Sequence, residues 1–348
     1  MTRFYAGKRV FITGATGFKG AWLCHTLLAA GAEITGYALA PETPSLFSET
    51  GLEAAIKTHY SDIRDREKLC AAVFAAKPDV VFHLAAQPLV RRSYRESALT
   101  YETNVMGTVN LLEAARSCPS VRSIVNITTD KVYENREWPW PYRETDLLDG
   151  FDPYSNSKSC SELVSSCYRH SFFCTEGAAA LSTARSGNVI GGGDYAEDRI
   201  IPDCVRAASS DRRIIVRNPA SIRPYQHVLE CIAGYLILAE KQCADRTISG
   251  AYNFGPDEEN CVSTGNLAEL FCKAWGGGAS WIAKPGDGPH EAQTLKLDCS
   301  KSKALLEWKP RWNIQQTIAE TVELEKTPAA GRAKVILNQL ARYQSSLF

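Results

Sequence analysis

Tyr154 and Lys158 stand four residues apart in the segment Asp152-Pro-Tyr-Ser-Asn-Ser-Lys-Ser-Cys-Ser-Glu162, which reads as the start of a helix reaching about Tyr168. That spacing stacks the two side chains on one helix face. An ammonium beside a phenol favours the phenolate, because an opposite charge lowers the phenol pKa. A tyrosine tuned in this way takes the proton from a hydroxyl while a hydride leaves the same carbon. Just upstream, Arg122 to Tyr133 reads as an apolar strand running into Thr128-Thr129-Asp130-Lys131, polar residues at its carboxyl end. Tyr-x-x-x-Lys alone also fits a solvated helix face. What gives it meaning is a hydride acceptor elsewhere in the chain.

The acceptor's signature lies near the start. Val10 to Thr13 reads as a short buried strand, and Gly14, Gly17 and Gly20 follow at three-residue spacing. Ala21 to Ala30 then carries apolar residues at helical spacing and stops at Gly31. Strand, glycine turn and helix in this order form a dinucleotide fingerprint, in which backbone N–H groups and the positive helix end meet a diphosphate. A second strand, Ala32 to Leu39, should end in an acid that holds the cofactor ribose. Ala38, Leu39 and Ala40 stand there instead, with Glu42 just beyond. No arginine awaits a 2′-phosphate either, so NAD is favoured over NADP.

The intervening chain alternates strand and helix, which predicts a doubly wound parallel sheet of Rossmann type. Asp62 follows a short strand and is a candidate for the adenine edge, while Asp65 fits the N-cap of a helix over Glu67 to Ala76. Asp79 to Ala85 is another strand, ending in the small residues Ala85-Ala86-Gln87-Pro88 at a carboxyl end where ligands bind in such sheets. His83, inside that strand, reads as a packed core histidine. Helical stretches are expected at Ser97 to Asn104 and Gly107 to Arg116, and a strand at Ala178 to Arg185. After about Ser186 the alternation is lost. Residues 1–186 therefore read as the dinucleotide domain and 187–348 as mostly a smaller mixed α/β substrate lobe, with a segment near 225–240 returning to the first.

The chain has 348 residues, with 39 Lys+Arg against 39 Asp+Glu. Its zero net charge gives no footprint for nucleic acid or an anionic membrane. No run reaches the length of a signal peptide or a membrane span. The twelve scattered cysteines lack any C-x-x-C pair, so they read as reduced thiols, not as disulfides or a zinc site, and the expected compartment is the cytoplasm. No metal is expected.

These motifs together resemble the extended short-chain dehydrogenase/reductases that act on nucleotide sugars: Gly14-x-x-Gly17-x-x-Gly20, Asp62-Ile63, His83-Leu-Ala-Ala86, Asn104-Val-Met-Gly107-Thr108, Thr129-Asp130-Lys131 and Tyr154-x-x-x-Lys158. Within them, TGATGFKG (13–20), AAQPLVRRSY (85–94), TTDKVYENREW (128–138), YSNSK (154–158), GNVIGGGD (187–194), IRPYQHVLE (222–230) and LKLDCSKS (295–302) are similar to the 4,6-dehydratases of CDP-glucose. Relatives that act on dTDP-glucose usually read Thr-Asp-Glu where this chain has Thr129-Asp130-Lys131.

The resemblance implies that Tyr154 deprotonates the sugar 4-hydroxyl as NAD takes the C4 hydride, with Thr129 bonded to the 4-oxygen. The C5 proton and the 6-hydroxyl are then lost, and the hydride returns to C6. Asp130 would be the acid for the departing hydroxyl. Lys131 occupies the place of the C5 base, either as a neutral amine tuned by a neighbour such as Lys158, or as a cation stabilising the enolate. Cofactor contacts are implied for Gly14, Thr16, Gly17, Phe18, Lys19, Gly20, Asp62, Ile63, Leu84, Ala85, Ala86, Asn104, Tyr154 and Lys158. Gln87, Asn188, Arg199, Arg223, His290 and Glu291 would contact the nucleotide sugar. The chain departs from that branch at Ala15 (usually His), Ala40, Tyr195 and Tyr225 (usually Trp) and Gln293 (usually His).

The family's products feed 6-deoxy and 3,6-dideoxy sugars of surface polysaccharide such as the lipopolysaccharide O-antigen. Its members commonly form homodimers or homotetramers through helices here placed at about Ser97–Arg116 and Asn156–Tyr168, where Leu163 and Val164 fit a dimer face or a core equally. The alternatives are a dehydratase of another nucleotide hexose, a nucleotide-sugar 4-epimerase or reductase, and a non-catalytic NAD-binding protein. Asp130-Lys131 argues against the epimerase, and retention of Thr129, Tyr154 and Lys158 argues against the last.

Overall fold

The computed structural model describes residues 3–284 and 293–346. Strand β1 (Arg9–Thr13) runs into helix α1 (Phe18–Ala29), then β2 (Glu33–Ala38) and β3 (Lys57–Tyr60). Helix α2 (Arg66–Ala76) starts where Asp65 accepts from the Lys68 amide, the cap its sequence promises. It is followed by β4 (Val80–His83), α3 (Val90–Arg95), α4 (Ser97–Tyr101) and α5 (Gly107–Arg116). Next come β5 (Ser123–Ile127), α6 (Pro153–Ser171) and β6 (Ala180–Arg185). Later elements return to this body, among them two that join its sheet and helices directly. Helix α7 (Val228–Ala244) packs on α1, β5 and β6, and β7 (Ala251–Asn253) pairs with β6.

All seven strands are parallel, in the order β7-β6-β5-β4-β1-β2-β3. Chain direction across the sheet reverses between β1 and β4, where Val10 pairs Val80 and Thr13 pairs His83. Ligands of doubly wound sheets lie at the carboxyl side of that switch point. Buried apolar residues cover both sheet faces, and a third apolar cluster (Ile190, Ile201, Ile214, Leu267, Phe271 and Ile318 among its members) lies in the region after residue 186.

His83 is a buried core residue, bonded to Thr13 and Thr108 on its two ring nitrogens, and burial pulls its pKa down to about 3. The sequence shows no sign of α3, nor of the π-helical turn Glu102–Met106 that joins α4 and α5 into one longer helix. Leu163 and Val164 separate: Leu163 is 57% exposed, whereas Val164 packs against the core. All twelve cysteines are unpaired. Among the described residues no helix is long and apolar enough to cross a membrane, and no cluster of His, Cys, Asp and Glu has the geometry to hold a metal ion.

Candidate active site

A cleft of about 1520 Å³ opens over the carboxyl ends of β1, β4 and β5 and is closed on its far side by residues beyond 186. Its floor is the glycine turn. Gly14 has φ +73°, and a Cβ there would stand 2.7 Å from the Ala85 amide nitrogen, while a Cβ on Gly20 would fall onto the Gly14 carbonyl. These are the close approaches that only glycine permits. The cradle therefore fits a dinucleotide diphosphate at the start of α1. Thr16 ties the turn to β2 by donating to the Leu39 carbonyl (3.0 Å). Ala15, in place of the family's histidine, is fully buried beside Gly36 of β2.

Asp62, Ile63, Leu84, Ala85 and Ala86 line the same end of the cleft. The Asp62 carboxylate is gripped by Arg64 through side chain and amide (2.8 and 2.9 Å), which holds its pKa down. Asn104 does not line the cleft. Its amide bonds the Gln87 backbone and the Ser157 hydroxyl, and it is 1% exposed. Gln87 does line the cleft, but its amide is spent on Leu89 and Thr100. Asn104 thus shapes the wall from within, whereas Gln87 lines the cleft with its side-chain amide already bonded.

Acid–base groups gather at the end of β5. Thr129 caps a short turn over Asp130–Val132 by accepting from the Lys131 amide (3.4 Å) and donates to the Asp130 carboxylate (3.0 Å). That carboxylate lies against Gly187, where a Cβ would fall within it, and accepts from Asn188 (3.4 Å). Burial pushes the Asp130 pKa up against the opposing pull of Lys131, Thr129 and Arg223. Lys131, half-buried, faces the same cleft.

Helix α6 brings the remaining pair. Asp152 caps it at the Ser155 amide (3.0 Å) and Pro153 fills its first position. Burial pushes the Tyr154 phenol up to about 12, and Thr129 and Arg199 pull it back. Lys158 is buried, donates to the Ile127 carbonyl (3.1 Å), and is lowered to about 8 by burial and then by Lys19. The cation that acts on Lys158 is Lys19. Arg199 pairs with buried Asp194 (2.8 Å), and Arg223 reaches the Ile222 and Gln293 carbonyls (2.9 and 3.2 Å). Both guanidiniums face the cleft. His290 and Glu291 lie outside the described residues.

A glycine cradle on a doubly wound sheet, with Thr, Tyr and Lys at the carboxyl ends, is the arrangement of the short-chain dehydrogenase/reductase class, and its cradle fits a dinucleotide. The profile of the family described as GDP-mannose 4,6 dehydratase matches residues 11–321. The chain is 46% identical to the CDP-glucose 4,6-dehydratase of Salmonella typhimurium over 99% of its own length and 98% of the relative's. It is 28% identical to a dTDP-glucose 4,6-dehydratase of Streptomyces antibioticus, covering 90% and 91% of the two chains. The fold matches the Thermus thermophilus UDP-glucose 4-epimerase, solved in complex with NAD, at a TM-score of 0.78 and 25% identity, covering 90% of this chain and 98% of that one. The chain thus belongs to the nucleotide-sugar 4,6-dehydratase family, a family of hydro-lyases.

Proposed function

We propose that the protein converts CDP-glucose to CDP-4-keto-6-deoxyglucose with NAD held on the glycine turn. The observation that carries this reading is the buried Asp130 followed directly by Lys131, on the same turn as Thr129 and facing the cleft with Tyr154. NAD, when bound, supplies a two-electron acceptor that takes the C4 hydrogen as hydride and returns it to C6, so that the net redox change is zero. Tyr154 takes the 4-hydroxyl proton while Thr129 holds the oxygen. Asp130, kept protonated by burial further toward neutrality than an ordinary carboxyl, gives its proton to the departing 6-oxygen. Lys131 serves the C5 side, either taking the C5 proton or stabilising the enolate that its loss leaves. Lys158, one turn further along the same face of α6, is assigned to favouring the phenolate through its charge.

Arg199, Arg223 and Asn188 are assigned to the sugar diphosphate and nucleoside, since guanidinium forks match phosphate oxygens. Residues 187–348, apart from the returning elements, form the substrate lobe in this reading. The exposed side of α4 to α6, including Leu163 and Met106, forms a dimer face of four helices. The product would enter 6-deoxy and dideoxy sugars of surface polysaccharide. The decisive test is mass spectrometry of the purified protein with NAD and, separately, CDP-, dTDP-, GDP- and UDP-glucose. Loss of one water from CDP-glucose without net NADH is expected. Water loss from another donor would move the specificity, and an isomer of unchanged mass would point to an epimerase.

A further inference from the structure

Four residues beyond Lys158 and eight beyond Tyr154, Glu162 lies on the same stripe of α6 and is paired with Arg185 of β6. Both side chains are 3% exposed and joined by two bonds of 3.0 and 2.8 Å. The carboxylate also accepts from Thr128 (2.5 Å) and Thr183 (2.7 Å). The guanidinium spends its remaining arm on the Tyr133 hydroxyl (2.8 Å) and the Glu144 carbonyl (3.2 Å). Tyr133 in turn donates to Asn253 of β7 (2.7 Å). Neither ion touches the cleft.

Thr128 is the residue before Thr129, and Tyr133 is the residue after the turn Asp130–Val132. One ion pair therefore holds the entry and the exit of the segment that carries Thr129, Asp130 and Lys131, and it does so from the helix that carries Tyr154 and Lys158. Apolar packing of the same volume stabilises a fold at least as well as a buried ion pair does, so stability alone does not account for it. A fully bonded buried network does fix geometry, because each of its partners has one arrangement that satisfies all the others.

We propose that Glu162 and Arg185 are positioning residues that set Thr128–Tyr133 against Tyr154 and Lys158, and so couple oxidation at C4 to elimination across C5 and C6. The inference rests on the dehydratase reading above. Tyr154 and Lys158 keep their helix when the pair is weakened, whereas Thr129, Asp130 and Lys131 lose their fixed distance from it. Oxidation, which keeps Tyr154 and loses only the aid of Thr129, falls less than elimination, which needs both Asp130 and Lys131.

Thr128→Val, Thr128→Ser, Tyr133→Phe and Glu162→Gln in the full chain with NAD and CDP-glucose test this. Three readouts are followed: absorbance of reduced nicotinamide, water loss by mass, and deuterium entering C5 from solvent. For Thr128→Val and Tyr133→Phe, water loss should fall about 10²-fold, the cost of a misplacement near 1 Å. Reduced cofactor should accumulate above the wild-type level and C5 exchange should lag with elimination. Thr128→Ser should restore coupling. If oxidation and elimination fall by one factor, in step with melting temperature, the pair is merely structural and the inference fails. Glu162→Gln is informative if it folds, and the two milder variants decide the matter if it does not. Wild-type protein that loses no water from CDP-glucose would instead sink the dehydratase reading itself.

Discussion

The two walls of the cleft are built on different principles. On the first, the end of β5 and helix α6 meet through buried hydroxyls and amides. Ser161 and Ser165 accept from Asn126, Ser157 accepts from Asn104, and Ser159 donates to the Val132 carbonyl while accepting from the Gly150 amide. On the second, arginines pair with acids and carbonyls: Arg199 with Asp194, Arg217 with Asp198, Arg223 with Ile222 and Gln293. The first arrangement has one solution; the second tolerates adjustment. Tyr195, Tyr225 and Gln293, three of the five departures from the CDP-glucose branch, belong to the second side, and none of the five falls on β5 or α6. On the proposed reading, rigid geometry would serve the chemistry and exchangeable charge the choice of nucleotide.

The sharpest way to test that division is at Tyr154. Tyr154→Phe should cut kcat by about 10³-fold or more while CDP-glucose still binds, measured by steady-state kinetics alongside calorimetric titration. A large loss of affinity instead would mean that the first wall also recognises the nucleotide sugar. Next in size is Gly187→Ala, whose added methyl occupies the space of the Asp130 carboxylate. Turnover should fall about 10²-fold through displaced Asp130, with KM little altered. A normal kcat would show that Asp130 can move without cost, which contradicts a rigid wall. On the other side, Arg223→Lys should raise KM about tenfold and lower kcat by much less, because Lys loses the forked contact but keeps the charge. Equal damage to kcat and KM would erase the contrast.

The smallest effect on turnover lies outside both walls. Glu230 of α7 is buried among the Arg311 and Trp312 amides (3.0 and 2.8 Å) and the Tyr343 hydroxyl (2.7 Å), and burial pushes its pKa up to about 7. The folded protein therefore holds that proton more tightly than the unfolded chain does. Its contribution to stability falls as pH rises from the ordinary 4.5 to about 7 and is flat above. Glu230→Gln keeps an acceptor for the two amides and should remove this slope, worth up to about 3 kcal/mol. Denaturant midpoints at about pH 5 and about pH 8 measure it, and kcat at fixed pH should stay as in the parent.

Much of this was legible in the residues because it is local. A glycine turn between an apolar strand and an apolar helix needs no distant partner to be recognised, and Tyr154 and Lys158 share a helix face by spacing alone. Asp65 announces its own cap. What escaped depends on partners far along the chain. Asn104 and Gln87 turn inward because Ser157 and Thr100 await them there, 53 and 13 residues away. The Glu162–Arg185 pair joins residues 23 apart, and no short pattern marks it beyond Glu162 falling one turn after Lys158. The π-helical turn at Glu102–Met106 and the short helix α3 carry no distinct periodicity of their own. Leu163 and Val164 are adjacent and alike in type, so only the packed helix tells which of them faces out.

Helix α6 has a consequence for temperature. Its inner face is seated on oxygen and nitrogen atoms through Ser157, Ser159, Ser161, Ser165 and Glu162, whereas the region after residue 186 rests on Ile190, Ile201, Leu267 and Phe271. Attraction between apolar groups weakens as water cools, and hydrogen bonding carries no such penalty. A chilled molecule should therefore lose its grip on the nucleotide before it loses the alignment of Tyr154 with Thr129 and Asp130. Cold would slow it by letting go of its substrate, with the reacting groups still in place.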